Sequence, residues 1–259
     1  MNTKLFEHFA PVIRSLSANE LAGAASLNAK LRLAVEGGVE VCYAPFEFIN
    51  PLARVVIVGI TPGRTQMLNA LVEARCQLDQ GSDAAVTLKA AKRTGAFSGA
   101  MRPNLVALLD HIGLNRWLGI PTCGEFFGAS EHLVQTASVL RNPVFVSGEN
   151  YNGTPNMIKH PLLRDQLMTY FGADVKSMPN AVFVPLGDKV SEALHFLATQ
   201  GVLARDRILD GLPHPSGANA ERIAYFLGTK NRVALSVKTN PEKIDLARKD
   251  IMRRVLALA

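Results

Sequence analysis

Two short stretches, far apart in the chain, hold the residue types and spacings that can do chemistry. The first is Gly59-Ile60-Thr61-Pro62-Gly63-Arg64, where the apolar β-branched run Val55–Val58 turns through glycines into a helical pattern from about Thr65 to Leu78. Amides in such a loop are unpaired, and the helix start carries partial positive charge, so a buried strand leading into it is a place where α/β sheets bind ligands. The second is Leu212-Pro213-His214-Pro215-Ser216-Gly217-Ala218-Asn219, which sets an imidazole and a hydroxyl in a turn at the start of another helical pattern.

Composition narrows the classes. A hydrophobic fraction of 48% with 19% charged residues describes a core-forming chain. No apolar run approaches the roughly 20 residues of a membrane span. The N-terminus lacks the basic, apolar and small-residue order of a signal peptide, so the expected location is cytoplasmic. Cys42, Cys76 and Cys123 are scattered and odd in number, which argues for reduced structural thiols and against a disulfide framework or a zinc or iron–sulfur site. The six histidines show no close ligand pair, and no dinucleotide fingerprint, P-loop or GxSxG elbow is present. Neither a metal nor a cofactor is expected.

Charge points to a polyanion. The net +6 is concentrated in two segments. Thr229–Ala259 carries eight Lys/Arg against three acids, and Thr87–Arg116 carries five against Asp110 alone. Basic segments of this kind suit nucleic acid, although a solvated basic face has the same signature.

The elements that position the two loops alternate strand and helix. Strands are expected at Val55–Val58, Val144–Ser147, Ala181–Pro185 and Arg207–Leu209, with a short edge strand at Val39–Tyr43. Helices are expected over Thr3–Leu16 (interrupted at Pro11), from a Ser17/Glu20 capping box, and over Asn104–Ile112, Leu162–Phe171, Lys189–Gln200 and Asn219–Leu227. A last basic helix starts at Asn240 and Pro241. The pattern implies an α/β protein with a parallel sheet and helices on both faces, and places both loops at one edge of that sheet. One domain over 1–259 is expected, with a core at about 44–227, an N-terminal helical segment 1–38 and a C-terminal basic helix 240–259.

Taken together and in order, these motifs resemble the uracil-DNA glycosylase superfamily. Gly59–Gly63 is similar to its first motif, closest to the mismatch-specific and single-strand-selective branches. His214–Asn219 is similar to the second motif, and Thr94–Gly99 to the segment whose aromatic ring, here Phe97, stacks on the base. Val184–Gly187 resembles the family's third strand and its turn. The resemblance covers roughly residues 44 to 227. It implies a three-layer α/β/α sandwich with a central, mainly parallel four-stranded sheet.

The implied activity is hydrolysis of the N-glycosidic bond of uracil or another deaminated base, with DNA as partner. Separately from the resemblance, no membrane partner is expected, and the oligomeric state is left open with a monomer as the expectation. Departure of an anionic base needs donors aimed at its carbonyl, a role the resemblance gives to His214 and the Ile60 amide. Phe97 would stack on the extruded base, and Asn150, chosen over Asn142 and Asn152, would read its edge. Ser216 with the Gly217 and Ala218 amides, and Arg64, would hold the DNA backbone.

Three departures from the family pattern shape the expectation. Thr61 stands where the most active members carry Asp and others Asn, so water would be oriented by a hydroxyl that is no proton acceptor. Gly63 stands where strict uracil enzymes place an aromatic that excludes the thymine methyl. Ala218 stands near a larger wedge, which favours single-stranded or mismatched DNA as substrate. The runner-up readings are a catalytically weak member that binds nucleic acid or nucleotides, and a glycosidase of free nucleosides.

Overall fold

The structure is a computed structural model describing residues 2–23, 26–95 and 101–258. It is mixed α/β. The chain folds as two compact units that interleave along the sequence: Met1–Ile49, Ile60–Ala96 and Ser138–Ser177 form the first; Asn50–Gly59, Phe97–Ala137 and Met178–Ala259 form the second. Strands among the described residues are β1 (Arg32–Glu36), β2 (Val39–Cys42), β3 (Val55–Gly59), β4 (Val134–Ser138), β5 (Val144–Val146), β6 (Glu149–Asn150) and β7 (Val182–Pro185).

In the second unit the sheet runs β4-β3-β7. β3 pairs with β7 in parallel, Val55 opposite Val182 and Val58 opposite Pro185. All four residues Val55–Val58 are fully buried, as a strand covered on both faces requires. Val55, Ile57, Val182 and Val184 pack with Leu105, Leu108, Ile223, Phe226, Ile251 and Val255, so helices Met101–His111, Ala220–Phe226 and Pro241–Leu256 share a core with the sheet. The last helix starts as expected, the Asn240 side chain accepting from the Lys243 amide at 2.9 Å.

The expected four-stranded membership differs at two places. Val144–Val146 lies in the first unit, in an antiparallel sheet ordered β1-β2-β5-β6, where β2 is an inner strand and not an edge. Ile208 touches β7 through one parallel bridge at Phe183, and Arg205–Arg207 is a 3-10 turn. A short β-branched run carries no record of its neighbour, since partner choice is decided by long-range pairing. β4 is not foreseen by pattern because Val134-Gln135-Thr136-Ala137-Ser138 is weakly apolar, with only Gln135 and Ala137 buried.

In the first unit a core of Phe6, Phe9, Ile13, Leu27, Tyr43 and Phe145 joins Met67, Leu71 and Leu88 from the helices Arg64–Asp79 and Ala84–Gly95. The helix Lys4–Ser15 runs unbroken through Pro11. A mid-helix proline costs about 3 kcal/mol. Burial of Phe6, Phe9 and Ile13 beneath an exposed Pro11 contributes roughly 1.5–3 kcal/mol per side chain and outweighs it. The Ser17/Glu20 capping box forms as expected. The segment expected as one helix over Leu162–Phe171 is α-helical over Pro161–Gln166 and Gly172–Lys176, with a π turn at Leu167–Phe171 between them.

No helix among the described residues is long and apolar enough to cross a membrane.

Candidate functional site

In the second unit, the chain leaves Leu209 and places Leu212–Asn219 above the end of β7. His214 is half-buried. The Ser216 backbone N–H donates to its Nδ1 at 3.2 Å. That bond makes Nδ1 the acceptor and assigns the ring proton to Nε2. Burial holds the imidazole below its ordinary pKa of 6.5, which favours the neutral ring at neutral pH. The result is a neutral N–H donor held in one tautomer.

Three neighbours fix this loop. Asn104, one turn into the helix Met101–His111, donates from Nδ2 to the Pro215 carbonyl at 2.9 Å. Gly187, in the turn after β7, has φ +97°, and a Cβ there would lie 3.6 Å from His214 Cδ2. Only glycine adopts that backbone cheaply. Asn219 donates to Ser216 Oγ at 3.2 Å, which leaves the Ser216 hydroxyl proton free to donate elsewhere. Gly217 and Ala218 are exposed in the 3-10 turn that leads into Ala220–Phe226. In the sequence Asn104 reads only as a helix start; nothing in its local pattern says what its side chain reaches.

His214 lines a cavity of about 400 Å3 whose rim carries Lys189, Arg222, Lys238 and Lys243. Asp188 is the one acid there and is engaged by Lys243 at 3.4 Å. The wider basic tail is less free than its composition suggests. Lys230, Arg232, Lys243, Arg248, Arg253 and Arg254 all make ion pairs within this unit. Arg254 also bonds the Ile208 carbonyl and the Asp210 carboxylate, tying the last helix to the segment that delivers the His214 loop. Pairing does not cancel the net charge, but it assigns several cations a structural part.

Asp210 gathers a second polar group. Ser191 Oγ donates to its Oδ2 at 3.0 Å and His195 Nε2 lies 2.8 Å from the same oxygen. Burial opposes the charge, yet the bonds from His195, Arg254 and Ser191 hold this carboxyl below its usual range. A serine that donates to the carboxylate rather than to the imidazole has no base to activate it, so this is no nucleophilic triad.

In the first unit, the residues Ile60–Arg64 lead into the helix Arg64–Asp79. The Thr61 hydroxyl donates to the Asn142 carbonyl and accepts from the Val144 N–H, each at 3.2 Å. The Ile60 carbonyl accepts from the Leu140 amide at 3.0 Å. Thr61 therefore clamps its loop to the segment before β5, and the one lone pair left on its oxygen can still accept from a water. Asn150, exposed at the end of β6, caps the helix: its Oδ1 accepts from the Arg64 amide at 2.9 Å, and Gln66 Oε1 accepts from the Gly63 amide at 3.0 Å. A Cβ on Gly63 would meet Asn150 Nδ2 at 3.5 Å, an ordinary contact.

Arg64 turns inward, its guanidinium over the Phe145 ring at 4.3 Å and bonded to the Asn28 side chain and the Gly148 carbonyl. Those contacts make it a strut of this unit. Asn142 is buried, its Nδ2 donating to Gln166 at 3.2 Å. Asn152 is exposed. Thr94 and Gly95 end the helix Ala84–Gly95, and Gly95 packs so closely that a Cβ would lie 2.7 Å from Phe46. Phe97 lies outside the described residues.

Among the described residues no group of three or more His, Cys, Asp or Glu is arranged to hold a metal ion. Cys42 and Cys123 are buried free thiols, Cys42 pushed up to about 12 chiefly by burial, and Cys76 is an exposed free thiol.

No protein-family model and no solved structure matches the chain. It is 35% identical over 243 residues, covering 93% of its own length and 92% of the relative's, to a Bacillus subtilis (strain 168) protein described as "Uncharacterized protein YoxB".

Proposed function

The chain belongs to the family of Bacillus subtilis YoxB, and for it we propose a DNA base-excision glycosylase of the uracil-DNA glycosylase type. The reaction is hydrolysis of the N-glycosidic bond of uracil or another deaminated base, in single-stranded or mismatched DNA. The observation that carries the reading is His214. A neutral imidazole with Nδ1 satisfied by the Ser216 amide presents Nε2–H as a fixed donor. A base leaving as an anion needs such a donor, and a cationic imidazolium is not required to supply it.

The remaining roles rest on the resemblance. The Ile60 amide is a second donor, Asn150 reads the base, and Phe97 stacks on it. Ser216 keeps a hydroxyl proton and stands beside the exposed Gly217 and Ala218, which suits a phosphate oxygen, and the cationic rim of the adjoining cavity favours the same charge. With this reading goes the three-layer α/β/α sandwich of the superfamily, supported by the helix-covered sheet β4-β3-β7 of the second unit.

A second reading draws on one observation. The Thr61 hydroxyl already serves two backbone groups. Weak water activation would leave a protein that binds nucleic acid and excises little.

The test is a panel of labelled oligonucleotides carrying uracil, hypoxanthine, xanthine or thymine, single-stranded and opposite each partner, with cleavage at abasic sites as readout. Excision that disappears in His214→Ala is expected. Silence across the panel with salt-dependent DNA binding would establish the binding reading instead. Silence without DNA binding would dismiss both.

A further inference from the structure

The cavity of about 400 Å3 beside His214 gathers four cations, Lys189, Arg222, Lys238 and Lys243, against the single acid Asp188. We propose that it is a phosphate subsite in its own right, with Lys238 and Arg222 taking the phosphate oxygens. It is separate from the Ser216 hydroxyl, which is not in its lining. The inference deepens the glycosylase reading, on which the placing of a DNA phosphate here rests. Phosphate binding is measured without base excision, so the two fail separately.

The cations arrive from four places in the second unit. Lys189 and Lys243 stand in the first turns of the helices Asp188–Thr199 and Pro241–Leu256, Arg222 in Ala220–Phe226, and Lys238 in the segment before Asn240. All four residues are exposed, so a ligand entering the cavity reaches them. Little opposes their charge. Elsewhere in the basic tail, Arg248 and Arg254 are neutralised by Asp245, Asp210 and Asp250 at 2.6–2.9 Å. Here Lys189 meets Glu192, and Lys243 meets Asp188, only at 3.4 Å and between solvent-exposed side chains. Such pairs contribute little. Arg222 bonds neutral oxygens alone, Asn219 Oδ1 at 3.1 Å and the Lys238 carbonyl at 3.4 Å. The Lys238 side chain has no ion pair or hydrogen bond among the described residues.

The two principal donors are also held in place. Arg222 ties the Lys238 backbone to Asn219, and Glu221 accepts from the Ser236 amide and from the Ser236 and Thr239 hydroxyls on either side of Lys238. A donor set fixed before its ligand arrives loses less freedom on binding. The ligand chemistry follows from the donors. Guanidinium and ammonium groups give only hydrogen bonds and positive charge, so the occupant is an anion rich in acceptors. Four dispersed cations are more than one carboxylate can use. They match a phosphate monoester, with its charge of about −2, or successive phosphodiesters of a strand. The volume falls within the roughly 300–1,000 Å3 of small-molecule sites.

The experiment is calorimetric titration of the full chain at one fixed salt concentration. The probes are thymidine 5′-monophosphate and a single-stranded oligothymidylate without terminal phosphates, with thymidine as control. Saturable binding of at least one phosphate probe is expected, with none for thymidine. Binding of the monophosphate would name a free or terminal phosphate as the ligand, and binding of the oligothymidylate alone a phosphodiester strand. Lys238→Glu, an exposed substitution that leaves the fold intact, should lower affinity at least about tenfold, as loss of a hydrogen bond to a charged group implies. Lys249→Glu changes the net charge equally from outside the lining and should leave affinity within about twofold. Absence of saturable binding, equal binding of thymidine, or no greater loss in Lys238→Glu than in Lys249→Glu would overturn the assignment. Lys238-dependent phosphate binding without any base excision would sink the glycosylase reading and leave this subsite standing.

Discussion

The Ser216 backbone N–H donates to His214 Nδ1 across 3.2 Å, and this one bond decides which nitrogen of the ring offers a proton. Removal of the ring should therefore remove the donor outright. His214→Ala is expected to lower base excision by about 10²–10³-fold, the usual cost of one oxyanion-type donor. Single-turnover rates on a uracil-containing single strand would measure it, and an unchanged rate would sink the assigned role.

The same burial gives a pH dependence with a definite sign. The folded-state pKa of His214 lies below its ordinary 6.5, so the unfolded chain binds the proton first as pH falls. Native stability is therefore unpenalised by this group above about pH 6.5 and declines below it. Excision should keep its neutral-pH rate below 6.5 before it falls. A profile with its acid limb above 6.5 would contradict the neutral, buried imidazole.

Thr61 is held by two backbone groups, and substitutions separate its clamping from its chemistry. Thr61→Val keeps the shape but leaves the Val144 N–H and the Asn142 carbonyl without this partner, at a cost of about 1–3 kcal/mol in chemical denaturation. Thr61→Asn retains a donor and an acceptor and is expected to raise uracil excision. If it does not, Thr61 is not the residue that positions water, or that step does not limit the rate.

Asn150 and Gly63 meet at the start of the helix Arg64–Asp79. Loss of the Oδ1 cap in Asn150→Ala should cost about 0.5–2 kcal/mol. Gly63 has φ −79°, a conformation open to any residue, so Gly63→Tyr introduces no backbone strain. Under the proposed function that ring would suppress thymine relative to uracil in competition assays. Equal suppression of both bases would show a blocked pocket and no selectivity.

Glu47 sets a second pH signature. Its carboxyl is raised from 4.5 to about 7, so the folded state holds a proton that the unfolded state has released between those values. Stability from this group is full below about pH 4.5 and is lost as pH rises through 7. Glu47→Gln should accordingly stabilise the protein at pH 8 more than at pH 5, by on the order of 3 kcal/mol. Melting curves of both forms across pH would decide, and a parallel pair would show that burial does not raise the Glu47 carboxyl.

Local rules made much of the chain legible. Val55–Val58 reads as a buried strand because every residue is β-branched, and the Asn240 cap and Ser17/Glu20 box read correctly because capping is satisfied within one turn. His214 stands out among small residues and turn formers by type alone. Tertiary structure decided what depends on partners distant in sequence. It put Val144–Val146 in the antiparallel sheet beside β2, and gave the Thr61 hydroxyl to Asn142 and Val144. It turned Arg64 onto Phe145, where the motif alone would set it on a DNA backbone. The tautomer of His214 and the burial of Glu47 belong to the same class. A residue's type states which hydrogen bonds it can make, whereas the fold alone states which of them are already taken.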